Sequence, residues 1–176
     1  FARVDHQRAV RQGCPEVIFG PGKTPNQIAA IAERIVAAGH SLLVTRTDRT
    51  AYDAVLARLS EAKFHELART ITLSLGELPR GKGTIAVAAA GTADLPVAEG
   101  AAICAELMGN QVDRIYDVGV AGLHRLLAEH DRLIGARVLI VVAGMEGALP
   151  SVVGGLVSLV HHRQQGGAMG GGGFGG

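Results

Sequence analysis

The sequence predicts an α/β protein, because apolar segments of two different periods alternate along it. Short apolar runs typical of strands are separated by segments whose apolar residues recur at the spacing of a helix face. In the second half of the chain this alternation is strict, which predicts right-handed crossovers and a parallel sheet. The composition favours a packed core, since 48% of the 176 residues are hydrophobic and 19% are charged.

The first part of the chain, residues 1–78, predicts a small α/β unit. Strands are expected at residues 16–19, 41–45 and 71–75, and helices at residues 25–39 and 51–59. Thr24 is a typical N-cap, Pro25 suits the first helical position, and Gly39 ends the helical pattern. Residues 76–83 break every period and therefore predict a linker.

The second part, residues 79–157, predicts a domain built from three strands and three helices. Strands are expected at residues 84–90, 112–118 and 137–142, and helices at residues 96–108, 123–133 and 149–156. The first of these strands is continuously apolar after Thr84, as expected for a strand that is covered on both faces.

Loops at the carboxyl ends of these three strands predict one binding site, because ligands of parallel sheets bind at that edge. Each loop carries glycine and opens a helix, so backbone N–H groups and the positive helix end can face an anion. The loops bring six side chains with useful chemistry to this edge: Thr92, Asp94, His124, Arg125, Glu146 and Ser151. Acid, base, cation and hydroxyl together favour an active site.

Simpler readings of the same residues stay open. Asp94 is well placed to be a helix N-cap, the glycines suit ordinary turns, and His124 and Arg125 could form a solvated helix start. Glu146 is the hardest to explain in this way, since it stands between flexible residues at the end of an apolar strand.

Several function classes are disfavoured by the composition. The formal charge is +1 and aromatic residues make up 3% of the chain, so nucleic-acid binding is not expected. Cys14 and Cys104 lie far apart, which predicts neither a disulfide framework nor a metal site, and Cys104 suits a buried helix position. His161 and His162 are read as an incidental pair. With no signal peptide or membrane-spanning run, we expect a cytoplasmic protein.

Three segments resemble signature segments of LarB, a family of nickel-pincer cofactor biosynthesis. These are residues 91–96, 116–125 and 143–155, and further similar runs lie at residues 5–8, 15–20, 22–25 and 80–84. The similarity extends over residues 1–157. The catalytic domain of that family is related to the PurE aminoimidazole ribonucleotide carboxylases, so the resemblance implies a PurE-like three-layer α/β/α domain.

The resemblance also implies a reaction. The family carboxylates the pyridinium ring of nicotinic acid adenine dinucleotide with CO2 or bicarbonate and hydrolyses the phosphoanhydride, which releases AMP. A cysteine thiolate adds to the ring, and a carboxylate then handles the ring proton. By position, Glu146 is the candidate for that second role, and Asp94 is the other catalytic candidate. Substrate-binding candidates are Gly91, Thr92, Asp117, Gly119, His124, Arg125, Gly144, Gly147 and Ser151. We expect Mg2+ as a cofactor and no metal-ligating residues in the protein itself. By analogy with related carboxylases, we also expect a homo-oligomer.

The sequence departs from the family after Val157. The family's nucleophilic cysteine belongs to a later helix, whereas residues 158–176 become rich in glycine and predict a disordered tail. We therefore expect a chain that is truncated or frameshifted at this end, that starts at Phe1 without its true N-terminus, and whose carboxylation is impaired. Two alternatives follow. One is a PurE-like aminoimidazole ribonucleotide carboxylase or mutase, whose electron-rich ring needs no cysteine, and the other is a non-catalytic nucleotide-binding module.

Overall fold

A computed structural model of the protein describes the backbone of residues 16–76, 80–144 and 147–166, and side chains as far as residue 157. The strands are β1 (Val17–Phe19), β2 (Leu42–Thr45), β3 (Lys63–His65), β4 (Thr70–Leu73), β5 (Thr84–Ala89), β6 (Gln111–Ile115) and β7 (Val138–Val142). The helices are α1 (Pro25–Ala37), α2 (Arg49–Leu56), α3 (Leu95–Leu107), α4 (Leu123–Ala128), α5 (His130–Gly135) and α6 (Ala148–Gly166). The predicted α/β class is confirmed.

The first four strands form one mixed sheet in the order β1-β2-β4-β3. Strands β1 and β2 are parallel, and the other two pairings are antiparallel. Helix α1 begins with a capping box, in which the Thr24 hydroxyl accepts from the Gln27 N–H and the Gln27 side chain accepts from the Thr24 N–H. Ile28, Ala29, Ala32 and Ile35 of this helix are buried in a core shared with the sheet.

Strand β3 was not among the predicted strands. It is three residues long, carries Lys63 and His65, and lies at the edge of the sheet, where it pairs with β4. Three residues of mixed polarity are too few to show the alternating apolar pattern by which a strand is predicted. The position of β3 depends on the pairing with Thr70 and Thr72 and not on its own composition.

The last three strands form a second, fully parallel sheet in the order β6-β5-β7, as predicted. Central strand β5 buries Ala86 and Ala88 against α4, α5 and α6, and it buries Val87 and Ala89 against α3. Successive residues of a strand point to opposite faces, so helices cover both sides of the sheet. The predicted three layers are therefore present, and the small alanines of β5 let both helical layers approach closely.

Helix bounds differ from the prediction in two places. The helix expected at residues 123–133 is divided at Glu129, whose backbone angles lie outside the helical range. The last helix continues to Gly166, so residues 158–166 are helical and the expectation of a disordered tail from residue 158 was wrong for them. The reason is visible in the sequence, since residues 156–165 contain neither glycine nor proline to end a helix. Residues 167–176 and part of the predicted linker, residues 77–79, lie outside the described residues.

Within the described part of the chain, no helix has the length and apolarity needed to cross a membrane.

Candidate functional site

A cleft of about 540 Å3 lies at the carboxyl ends of β5, β6 and β7. We call it the strand-end cleft. Its lining consists of Ala90, Gly91, Thr92, Ala93, Asp94, Gly119, Val120, Ala121, Ala143, Gly144, Gly147, Ala148 and Leu149. Its volume falls within the range of small-molecule sites. Most of its polar groups belong to the backbone, since Thr92 and Asp94 are the polar side chains among these residues.

The cleft opens where the chain leaves neighbouring strands in opposite directions. Helix α3 follows β5 and packs on one face of the sheet, whereas α6 follows β7 and packs on the other. Such a divergence leaves a crevice between the two strand ends, which is the usual ligand position in open parallel sheets.

Asp94 joins the two sides of this crevice. One of its carboxylate oxygens accepts from the Gly91 N–H at 3.0 Å, and the other accepts from the Gly144 N–H at 2.8 Å. The first contact is local, whereas the second links positions 50 residues apart. Both oxygens thus bind backbone, so Asp94 has a structural role in fixing the β5 and β7 loops. The reading of Asp94 as a cap is supported in part, although its reach to Gly144 exceeds a local cap.

The strand ends are pinned by two further hydrogen bonds. The Ala90 N–H donates to Val142 O at 3.1 Å, and the Val118 N–H donates to Ala89 O at 3.1 Å. Gly119 follows directly, and a Cβ atom there would lie 2.8 Å from the carbonyl oxygen of Ala90. Glycine is therefore required at position 119 because the β6 loop passes against the end of β5.

The loop after β7 is a tight turn into α6. The Gly147 N–H donates to Gly144 O at 3.0 Å, and Gly147 has a φ of 60°, in the left-handed region that glycine tolerates best. Helix α6 begins at the next residue, so its first N–H groups, which lack acceptors within the helix, lie at the cleft. Glu146 lies outside the described residues, so its catalytic role stays a prediction.

Asp117 and Arg125 form an ion pair beside the cleft. An Arg125 Nη atom donates to Asp117 Oδ2 at 2.6 Å, and the side chains are 44% and 64% exposed, respectively. Asp117 has a φ of 61°, and β6 ends at Ile115, three residues before the predicted strand end. Neither residue lines the cleft, and neither do His124 or Ser151, which are exposed on α4 and α6. The contact of these four residues with substrate therefore stays a prediction.

The described residues contain one cysteine, Cys104, and it does not line the strand-end cleft. It lies on α3, where burial raises the pKa of its thiol. A raised pKa disfavours the thiolate, which is the nucleophilic form. Cys14 lies outside the described residues. No group of three or more His, Cys, Asp and Glu that could hold a metal occurs within the described ranges.

A polar cluster on α3 and β6 was not found by sequence reasoning. Arg114 donates to Glu99 at 3.2 Å and to Glu106 at 3.0 Å, and the Tyr116 hydroxyl donates to Glu99 at 2.9 Å. The hydrogen bond from Arg114 lowers the pKa of Glu106, whereas burial, followed by the bond to Glu99, raises the pKa of Tyr116 to about 12. The cluster ties α3 to its sheet and lies outside the cleft.

Together, the parallel sheet and the glycine-bearing strand ends define a two-unit α/β protein with a small-molecule cleft. Residues 1–75 match the LarB/PurE-like N-terminal domain. This match supports a LarB/PurE-like family, as the motifs predicted. It is also similar to an uncharacterized protein of Methanocaldococcus jannaschii, with 35% identity over 171 residues. That alignment covers 89% of this chain and 64% of the relative, so the chain spans less than two thirds of the relative's length.

Proposed function

We propose a carboxylase-type role for this protein, which the match to the LarB/PurE-like N-terminal domain supports. We propose that the reaction is carboxylation of the pyridinium ring of nicotinic acid adenine dinucleotide, with hydrolysis of the phosphoanhydride to release AMP, within nickel-pincer cofactor biosynthesis. The observation that carries the proposal is the strand-end cleft, because its three loops hold the motifs that resemble LarB. The co-substrate is CO2 or bicarbonate.

The backbone of the cleft suits an anionic substrate. The start of α6 and the loop of Gly91 offer N–H groups and no cationic side chain, so a phosphate there would be bound mainly by hydrogen bonds to the main chain. His124 and Arg125 are the candidate contacts for the second phosphate and the carboxyl group. Arg125 would have to exchange Asp117 for the substrate, which costs little because the ion pair is exposed.

Glu146 is the proposed proton-handling carboxylate, and Thr92 is the proposed hydroxyl contact to the ribose phosphate. Asp94 would act through the backbone by keeping the β5 and β7 loops at the spacing that the ring requires. Mg2+ would be bound chiefly by substrate phosphates, which is its usual arrangement in nucleotide sites.

One observation favours a second candidate. No cysteine of the described residues reaches the cleft, and an aminoimidazole ribonucleotide is already electron-rich, so its carboxylation needs no thiolate. A PurE-like carboxylase or mutase therefore remains the alternative, and a non-catalytic nucleotide-binding module is the outcome if neither substrate turns over.

The experiment incubates the protein with the dinucleotide, bicarbonate and Mg2+, and measures AMP by chromatography and the nucleotide product by mass spectrometry. The proposal expects AMP together with a mononucleotide that has gained one carboxylate. Turnover of aminoimidazole ribonucleotide alone would refute the proposal and support the alternative. Dinucleotide binding without turnover of either substrate would support the binding module.

Two variants test the placement of the site. Glu146→Gln should abolish carboxylation while leaving the dinucleotide bound, because it removes a base and keeps the side-chain shape. The matched control is Glu61→Gln, a surface carboxylate outside the strand-end cleft, which should leave turnover unchanged. Equal loss in both variants would show a general effect on the protein and not a catalytic one.

We also propose a homo-oligomer. Leu123 and Leu127 lie one helical turn apart on α4 and are 44% and 49% exposed, and Val138 on edge strand β7 is 47% exposed. Exposed apolar side chains of this size favour burial against another copy. Light scattering coupled to size-exclusion chromatography gives the subunit number, and a monomer at all concentrations would contradict the proposal.

A further inference from the structure

A second cavity, of about 620 Å3, lies between the first sheet and helix α3. We call it the inter-unit cavity. On one side it is bounded by the loop after β2 and the start of β4, and on the other by Pro96, Val97 and Cys104 of α3. It is larger than the strand-end cleft and shares no residue with it.

Two arginines, Arg46 and Arg69, line this cavity, and the described residues that line it include no carboxylate. Arg46 lies with its guanidinium carbon 5.7 Å from the centroid of the Phe19 ring. Arg69 donates from Nε to Thr47 O at 3.2 Å, which leaves its terminal nitrogens for another acceptor. Neither forms an ion pair with an acidic group of the described ranges. Among the described residues, the lining of the cavity therefore has two positive charges and no matching negative charge.

Both arginines have an unusual backbone conformation. Arg46 has a φ of 52° and Arg69 a φ of 51°, in the left-handed region that residues with a Cβ seldom adopt. Gly20 makes the first of these possible, because a Cβ at position 20 would lie 2.6 Å from the carbonyl oxygen of Arg46. Such backbone strain is found preferentially where a side chain must be held for binding.

The position of the inter-unit cavity also agrees with the general rule that ligands bind at the carboxyl ends of parallel strands. Gly20 and Arg46 follow parallel strands β1 and β2 directly, so the cavity lies at their carboxyl ends. The opposite wall is apolar and includes Val97, which is 62% exposed although it is a large hydrophobic residue. A cationic end and an apolar wall together fit an anion that has an apolar or aromatic body.

We propose that the inter-unit cavity binds a phosphorylated small molecule of nucleotide size, with Arg46 and Arg69 binding its phosphate and the start of α3 packing against its body. A phosphomonoester carries nearly two negative charges at neutral pH, which matches two guanidinium groups, whereas a carboxylate matches only one. The inference does not depend on the carboxylation proposed above, since it concerns a different cavity.

The test is calorimetric titration of the protein with AMP, adenosine and inorganic phosphate. AMP should bind, adenosine should bind at least about tenfold more weakly because it lacks the charged group, and phosphate alone should bind weakly because it lacks the body. AMP affinity should also fall as salt is raised. Equal binding of AMP and adenosine, or no heat with AMP at millimolar concentration, would overturn the proposal.

Variants assign the binding to the arginines. Arg46→Asn and Arg69→Asn remove the charge with a residue that tolerates the left-handed backbone, so each should lower AMP affinity about tenfold or more without a clash. Arg49→Asn is the matched control, because the Arg49 side chain is exposed on helix α2 and pairs with Asp53 outside the cavity. Unchanged AMP affinity in both cavity variants would refute the assignment.

Two further measurements remain informative even if those variants fold poorly. Gly100→Leu should block AMP, because a Cβ at this cavity-lining position meets no atom within 4 Å and a leucine would extend into the open space. In a Cys14→Ser background, AMP should also slow alkylation of Cys104 by neutral iodoacetamide. AMP binding that survives Gly100→Leu but is lost in Asp94→Asn would place the nucleotide in the strand-end cleft and overturn the inference.

Discussion

Replacing Asp94 with asparagine tests whether this side chain holds the strand-end cleft together. Its two oxygens accept from the Gly91 and Gly144 N–H groups at 3.0 and 2.8 Å. Asparagine keeps one oxygen and substitutes an NH2 for the other, so one backbone N–H would face a donor. A hydrogen bond to a charged group contributes about 1.5–3 kcal/mol, and the Gly144 contact is exposed, so we expect Asp94→Asn to lower the free energy of unfolding by about 1–2 kcal/mol.

Urea unfolding measures the global effect, and amide hydrogen exchange measures the local one. In a protein of this size, about 1–2 kcal/mol corresponds to a melting temperature lower by roughly 2–8 °C. Exchange should accelerate at the Gly144 N–H, because this N–H loses its acceptor or its acceptor's charge. Asp53→Asn is the control, since Asp53 forms an exposed i,i+4 ion pair with Arg49 that stabilises a helix by about 0.3–0.5 kcal/mol.

Asp94 does not hold the two loops together if Asp94→Asn unfolds at the same urea concentration as the wild type and the Gly144 N–H exchanges at its original rate. Asp94 would then be available for chemistry, and a loss of carboxylation in this variant would identify it as an acid or base. If instead stability, exchange and substrate affinity change together, Asp94 acts by positioning the loops.

Two other perturbations follow from single contacts. Gly119→Ala should destabilise the protein by about 1–3 kcal/mol, because the added Cβ would lie 2.8 Å from a carbonyl oxygen. Gly154→Ala should instead stabilise it by about 0.5–1 kcal/mol, because Gly154 lies on α6 and a Cβ there would meet open space. Thermal unfolding of both variants checks this contrast. Burial lowers the pKa of His65 below 6.5, so the unfolded state binds its proton more readily and stability should fall as pH drops through 6.5. His65→Gln should flatten that fall in urea titrations between about pH 7 and pH 5, and an unchanged slope would contradict this reading.

The regular elements could be predicted because their patterns are local. Strand β5 is apolar after Thr84, and α1 has a capping residue, a first-turn proline and a terminal glycine, so each element is specified by adjacent residues. Strand β3 and the break at Glu129 could not be predicted in this way. The position of β3 is decided by its pairing with β4, and its own residues suit several conformations. Residues 123–133 contain no glycine or proline that would mark the break at Glu129.

The location of the candidate site could be predicted from the sequence, but the roles of its individual side chains could not. The carboxyl edge of a parallel sheet follows from topology, so Gly91, Thr92 and Gly144 could be expected at one cleft. The sequence could not indicate that Arg125 would pair with Asp117, because the ion pair depends on the left-handed backbone at Asp117. Side-chain partners within a loop are decided by dihedral angles that composition does not specify.

Glycine has the same physical role at the strand-end cleft and at the inter-unit cavity. The cleft was predicted from the sequence, whereas the cavity was not. At Gly20 and at Gly119, an added Cβ would lie 2.6 and 2.8 Å from the carbonyl oxygen of a residue at the end of the neighbouring parallel strand. Parallel strands that end side by side bring one backbone against the next, so a glycine there reports close approach and not flexibility. Three glycine-bearing loops in strict alternation made the second sheet recognisable. In the first sheet the pattern is interrupted by antiparallel β3 and β4, so Arg46 looked like an ordinary surface arginine until its backbone and its neighbours were known.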